Sequence, residues 1–158
     1  PEDTWRQLSQ IGMSIGKIQI SNALDINFDE MNSEQKKLSI KNLYQFHEVR
    51  WLHQVIIEKN NLKIFYDNLP EALQNERHKD GRWKIHFHVP IHWKTIQGLN
   101  TTQEETIRAT KFFHDNGVRH FEIETYTWPK LPTPAQNFLE GIARELQWAS
   151  SLLNTPTA

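Results

Sequence analysis

A mixed α/β fold, built as the C-terminal part of a parallel (β/α)8 barrel and interrupted by a β-hairpin, is predicted by three observations. Short β-branched or aromatic runs alternate with segments of helical period. Each run sorts into one apolar and one polar face. A pair of asparagines, tolerant of left-handed turn geometry, joins two further extended runs near the middle of the chain.

The elements follow in order. Ile15 to Ser21 ("IGKIQIS") is the first strand run, and Ser33 to Val49, with Leu38, Leu43, Phe46 and Val49, has nearly helical spacing. A capping box from Ser33 to Lys36 lacks its acid. Residues 51–69 read as a hairpin insertion turning at Lys59-Asn60-Asn61, and Pro70 opens a short helix. Trp83 to Ile91 ("WKIHFHVPI") is the second run. Thr101 and Thr102, followed by Glu104, Glu105, Ile107, Ala109, Phe112, Phe113 and finally Gly117, carry the cap, stripe and stop of a helix. Arg119 to Trp128 is the third run, and a proline-broken loop leads to a helix striped by Ala135, Phe138, Leu139, Ile142, Ala143, Leu146 and Ala149.

Composition narrows the function. The chain has 158 residues, enough for one core, with 37% hydrophobic and 23% charged residues and a formal net charge of -1. A generic nucleic-acid surface is disfavoured. Cysteine is absent, which excludes disulfides, thiolate metal sites and a cysteine nucleophile. No window approaches a membrane span of roughly 18 apolar residues, and "PEDTWRQLSQ" lacks the layout of a signal peptide. A soluble, cytoplasmic protein is expected. Because the chain opens on Pro1, a longer polypeptide is also expected.

The strand faces point to the barrel. Ile18 and Ile20 oppose Gln19 and Ser21; Ile85, Phe87 and Val89 oppose His86 and His88; Phe121 and Ile123 oppose Glu122, Glu124 and Tyr126. A doubly wound sheet is apolar on both faces, whereas a barrel can aim polar groups inward. Three βα units cannot close a barrel, so residues 1–158 read as a partial barrel domain whose open edges pair with another copy or with a missing N-terminal half.

Chemistry concentrates on those polar faces. His86 and His88, at i and i+2, point the same way and can share one ion, with Glu124 adding a carboxylate; alternatively they are packed or supporting residues. Glu122 and Glu124 could bind a cation or serve as acid and base, or be ion-paired with Arg119 or Lys84. Gln19 and Ser21 suit a hydroxyl-rich ligand, or satisfy buried backbone. Tyr126 and Trp128 could stack on a ring, with ordinary packing as the alternative in a chain with six tryptophans. His92 reads as a loop residue, and His47, His53, His78, His114 and His120 as structural or surface positions.

"GKIQISNAL", "RWLHQV", "DNLPEAL", "HFHVPI", "FEIETYTWPKLP" and "GIARELQW", in that order, resemble the C-terminal half of the EboE-type metabolite traffic proteins of bacteria, within the xylose-isomerase-like TIM-barrel superfamily. The resemblance spans about Ile11 to Trp148. It implies that the three runs are the sixth to eighth barrel strands, with Glu124 as the final-strand carboxylate ligand and His86 or His88 as a seventh-strand ligand. Gln19 stands where many relatives carry a histidine. What it implies for function is metal-dependent isomerase, epimerase or hydrolase chemistry on a sugar-like or secondary-metabolite intermediate. A divalent ion (Zn, Mn or Mg) would be held by His86, His88 and Glu124, with Glu124 and His88 as catalytic groups and Gln19, Ser21, Glu122, Tyr126 and Trp128 contacting substrate. A non-catalytic metabolite-binding module on the same face is the other reading.

Overall fold

The alternation read along "RWKIHFHV" is realised in the longest strand of the molecule. The structure, a computed structural model, describes residues 1–47, 51–75, 79–131 and 137–154. Its elements run α1 (Glu2–Gln10), β1 (Ile18–Ile20), β2 (Asn22–Asn27), α2 (Ser33–Leu43), β3 (Val55–Lys59), β4 (Leu62–Tyr66), α3 (Leu69–Gln74), β5 (Arg82–Val89), β6 (Thr95–Ile96), β7 (Leu99–Asn100), α4 (Gln103–Asp115), β8 (Phe121–Ile123) and α5 (Phe138–Asn154). Trp83, Ile85, Phe87 and Val89 of β5 are all buried with Leu24 and Ile26 of β2 and Val55 and Ile57 of β3. Each such side chain is worth about 1.5–3 kcal/mol once removed from water. This core is closed by Leu43 at the end of α2 and Phe46 just after it, by Leu69 and Leu73 of α3, and by Trp128 and Leu131.

The α/β class is present, but the strand directions differ from the expectation. β1 and β8 do pair in parallel, Ile18 opposite Phe121 and Ile20 opposite Ile123. The second run does not lie between them. β5 sits inside a four-stranded antiparallel sheet of order β2-β5-β3-β4, and neither a closed barrel nor a row of three parallel strands forms among the described residues. The physical reason is that an antiparallel sheet with one packed face has the same apolar-in, polar-out alternation as a barrel strand with a polar interior. The hairpin, expected as a side insertion, contributes two strands to this sheet. Its turn is as expected: Asn60 and Asn61 have φ of 50° and 62°.

Several local details sharpen the reading. The cap of α2 is Asn32, which forms a full capping box with Gln35 rather than one starting at Ser33. Leu38 is exposed, and Val49 lies outside the described residues. Asn68 caps α3, with Pro70 in its first turn. The hydroxyl of Thr102 does not cap its own helix but accepts a hydrogen bond from the Ala23 amide at 2.9 Å, tying α4 to β2.

The last helix turns only part of its expected stripe inward, with Ala149 buried and Ile142 packed on the core. Its buried residues are Gly141, Glu145 and Ala149, whereas Phe138, Leu139 and Leu146 of the apolar stripe are exposed; Ala135 lies outside the described residues. The indole of Trp128 lies against Gly141, where an added Cβ would stand 2.6 Å from the ring. Glu145, fully buried, accepts from the Ile91 amide at 2.9 Å, the Thr125 hydroxyl at 2.7 Å and the Trp128 indole at 2.7 Å. Three donors from two separate segments thus satisfy one carboxylate.

Glu145→Gln should therefore destabilise the fold by about 2–4 kcal/mol in urea unfolding, because its NH2 must face at least one of those donors. Gly141→Ala should cost about 1–3 kcal/mol through overpacking against Trp128. A loss of less than about 0.5 kcal/mol in both variants, the level of an ordinary surface change, would show that α5 is held by other contacts.

Candidate functional site

β5 places His86 and His88 on the face opposite its core residues, and the segment after β8 crosses over them. The amide of Glu124 donates to Ile20 O at 2.9 Å, extending the β1–β8 pairing by one step. The carbonyl of the same residue is 2.5 Å from His88 Nδ1. The Thr127 hydroxyl, buried, donates to His88 O. On the other side, His86 N donates to Gln54 O at 2.9 Å, and His86 Nδ1 stands 2.7 Å from Gln54 Oε1. His53, also buried, brings Nδ1 to 3.1 Å from His86 O.

The two rings then meet, Nε2 to Nε2, at 2.8 Å. A carbonyl only accepts, so His88 must carry its proton on Nδ1 and present a lone pair at Nε2. With its amide oxygen toward the ring, Gln54 imposes the same tautomer on His86. Two lone pairs facing at this distance require a cation between them, a proton or a metal ion, unless the Gln54 amide turns to donate and frees the His86 Nε2–H for His88. Burial lowers the His86 pKa from its ordinary value, and the neighbouring His88 lowers it further against the opposing pull of Glu124.

The fit to a metal ion can be tested on this geometry. Metal-ligating histidines characteristically donate their second ring N–H to a carbonyl or carboxylate, and both rings have such a partner. Two nitrogens bound to a tetrahedral zinc stand about 3.3 Å apart, so the pair needs to open by about 0.5 Å from its 2.8 Å separation. Among the described residues no group of three His, Asp, Glu or Cys side chains forms a complete site. The donor set that the described residues bring together is thus two imidazole nitrogens.

An aromatic column closes one side. Tyr126 lies 4.6 Å from His88 and 5.5 Å from Trp51 between ring centroids. Burial raises its phenol pKa, and the Glu124 carboxylate raises it further, so the hydroxyl stays protonated at neutral pH. Glu124 thus exerts its charge on both His86 and Tyr126.

The other expected site residues fall apart from this cluster. Gln19 is exposed and opposite Glu122 in the β1–β8 register, and Glu122 is ion-paired with Lys17 rather than Arg119 or Lys84. Ser21 accepts at its backbone oxygen from Thr106. Trp128 is bound to Glu145 and packed on Trp93 and Gly141, where its ring serves the core. Gln54 and Trp51 are the site residues that the sequence did not single out. No local signal marks them, since Gln54 meets His86 across 32 positions. No family model matches the chain, and no curated protein or solved structure matches it either.

His86 should titrate below the ordinary imidazole value of 6.5 in an NMR pH titration. A depressed folded-state pKa contributes stability that is present above the unfolded value and lost as pH falls through the folded one. Melting temperature should therefore drop on acidification from neutral pH, and less steeply in His86→Gln. His92, lowered by burial and then by Arg144, adds a share that this variant leaves in place. An unchanged slope in His86→Gln would assign the acid sensitivity elsewhere.

Proposed function

We propose that the chain supplies part of a divalent-metal site acting on an oxygen-bearing small metabolite, with chemistry of the isomerase, epimerase or hydrolase kind. The observation that carries this reading is the meeting of two Nε2 atoms at 2.8 Å while both Nδ1 atoms face oxygen acceptors. His86 and His88 would hold the ion (Zn, Mn or Mg), with Glu124 adding oxygen ligation or acting as base. Such an ion polarises a substrate carbonyl or hydroxyl when bound.

The protein's own groups supply the rest. Gln54 and the Glu124 carbonyl fix the ring orientations, Tyr126 offers a phenolic proton, and Trp51 packs against Tyr126 beside the half-open site. The finer reading, a C-terminal barrel segment of an EboE-type, xylose-isomerase-like protein in the bacterial cytoplasm, rests on the sequence resemblance; the parallel β1–β8 pair followed by α5 agrees with it only at the level of an α/β arrangement. Among the described residues β8 has a strand on one edge only, with exposed Phe138 and Leu146 on the nearby helix. Completion by the remaining barrel segment or by a second copy of the chain is proposed for that edge. No helix among the described residues is long and apolar enough to cross a membrane. Metabolite binding without turnover is the second reading, favoured by the pair of imidazoles having no third His, Asp or Glu ligand beside it among the described residues.

Calorimetric titration with Zn²⁺, Mn²⁺ and Mg²⁺ tests the metal site. One ion per chain is expected. His88→Ala should abolish measurable binding, and Gln54→Ala should weaken it about 10–100-fold through loss of ring orientation. Binding that persists unchanged in His88→Ala would remove the metal reading, and metal binding without any substrate turnover would favour the second.

A further inference from the structure

β4 is the outermost strand of the antiparallel sheet, with β3 on one side and, among the described residues, no strand on the other. Open edges are normally guarded by proline, by a bulge or by several charges. This one has a single charge, Lys63, and neither of the other devices: "LKIFY" runs in unbroken register with β3, from Leu62 opposite Lys59 to Tyr66 opposite Val55. The two-residue turn at Asn60-Asn61 makes Lys59 and Leu62 a hydrogen-bonded pair. Alternation from that pair gives Leu62, Ile64 and Tyr66 to β3 and turns the backbone N–H and C=O of Lys63 and Phe65 outward. The Phe65 side chain is exposed as well.

The sequence of this edge is complementary to itself. Lys63 and Asp67 stand two residues before and two after Phe65. Antiparallel pairing of two β4 strands about a two-fold axis at Phe65 therefore sets Lys63 of each copy opposite Asp67 of the other, so opposite charges meet at both ends. Phe65 meets its own mate in the middle, and Ile64, at the border of the core, lies opposite Tyr66 on the other face. The charges are available for this. Asp67 is exposed and makes no ion pair among the described residues, and Lys63 reaches only the half-exposed Glu58, at 3.2 Å. Neighbouring registers are poorer: an axis at Ile64 sets Lys63 opposite Phe65, and one at Lys63 brings two ammonium groups together and runs Phe65 onto the turn at Asn61. We propose that β4 binds β4 of a second copy of the chain, antiparallel and centred on Phe65, joining the two four-stranded sheets into one continuous sheet. This pairing needs no metal. A contact between two strand edges is small, so the dimer is weak and concentration-dependent.

Sedimentation velocity over rising protein concentration provides the test. A monomer–dimer equilibrium is expected, weakened by salt. Lys63→Asp leaves only carboxylates at the paired positions and Asp67→Lys only ammonium groups, so each variant alone should dimerise at least about tenfold more weakly. Mixed in equal amounts, the two should form a heterodimer within about threefold of the unmodified affinity, because every Asp then faces a Lys. Melting curves check that both variants remain folded. Lys63→Asp also faces Glu58 within its own hairpin; if it unfolds, Asp67→Lys, at an exposed position, decides alone, its self-association rising with salt while that of the unmodified chain falls. A monomer at every concentration would overturn the proposal. So would a dimer that the exchanges leave within about twofold, since the contact would then lie on another face, and so would two folded variants whose mixture stays monomeric.

Discussion

One buried carboxylate sets the relation between the two parts of the molecule. Glu145 enters from α5 and takes the Ile91 amide beyond β5, the Thr125 hydroxyl beyond β8 and the indole of Trp128. With no cation among these partners, its charge is balanced by donors alone, an arrangement that holds only while all three are in place. The antiparallel sheet and the parallel β1–β8 pair therefore meet at a point that tolerates little displacement. The position of Glu124 O over His88 depends on it, because Thr125 follows Glu124 directly and Ile91 lies three residues beyond His88. The small buried face of α5 follows from the same cause. Gly141 makes room for the Trp128 ring and Ala149 packs on Ile20 and Ile91, so the carboxylate faces inward with part of the stripe, while Phe138, Leu139 and Leu146 do not.

This also explains which parts of the fold were legible in the sequence. Elements whose cause is local were readable: the Asn60-Asn61 turn, the proline-opened helix α3, and the existence of α4 and α5. The direction of β5 was not. One-sided alternation along "RWKIHFHV" states that one face is packed, and it is equally satisfied by an antiparallel neighbour on each side. β2 was missed because Asp25 interrupts its apolar residues, and the charge is answered by Arg82 from 57 positions away at 2.7 Å. Glu145 hid among polar residues of a helix whose stripe lay elsewhere. Its meaning resides in three donors that only the fold assembles.

The candidate site divides in the same way. His86 and His88 were legible as a pair because strand geometry aims i and i+2 together. Glu124 was legible as a carboxylate, but its backbone carbonyl is what fixes the His88 tautomer. Gln54 has no local signature, yet the electrostatic character of the pair turns on which way its amide faces. Glu122 and Gln19 share a strand face, and that face carries an exposed ion pair with Lys17 instead of the histidine cluster. Sharing a polar alternation was not enough, because the strands bearing it belong to different sheets.

The opposite faces of β5 link stability to chemistry through one register. A slip of one residue would exchange Phe87 and Ile85 for His86 and His88 in the core, a change large enough to unfold a domain of this size. The register is fixed at the site end by Asn22, which is buried and donates from Nδ2 to the carbonyls of Pro90, Ile91 and Trp93 at 3.1, 3.1 and 3.2 Å. At the other end, Asp25 on β2 grips Arg82 in a two-point charge-assisted contact. Between these anchors the strand cannot shift without exposing the core. The separation of the two imidazoles, and the opening of about 0.5 Å that an ion requires, must therefore come from side-chain rotation against Gln54 and the Glu124 carbonyl, with the backbone held still.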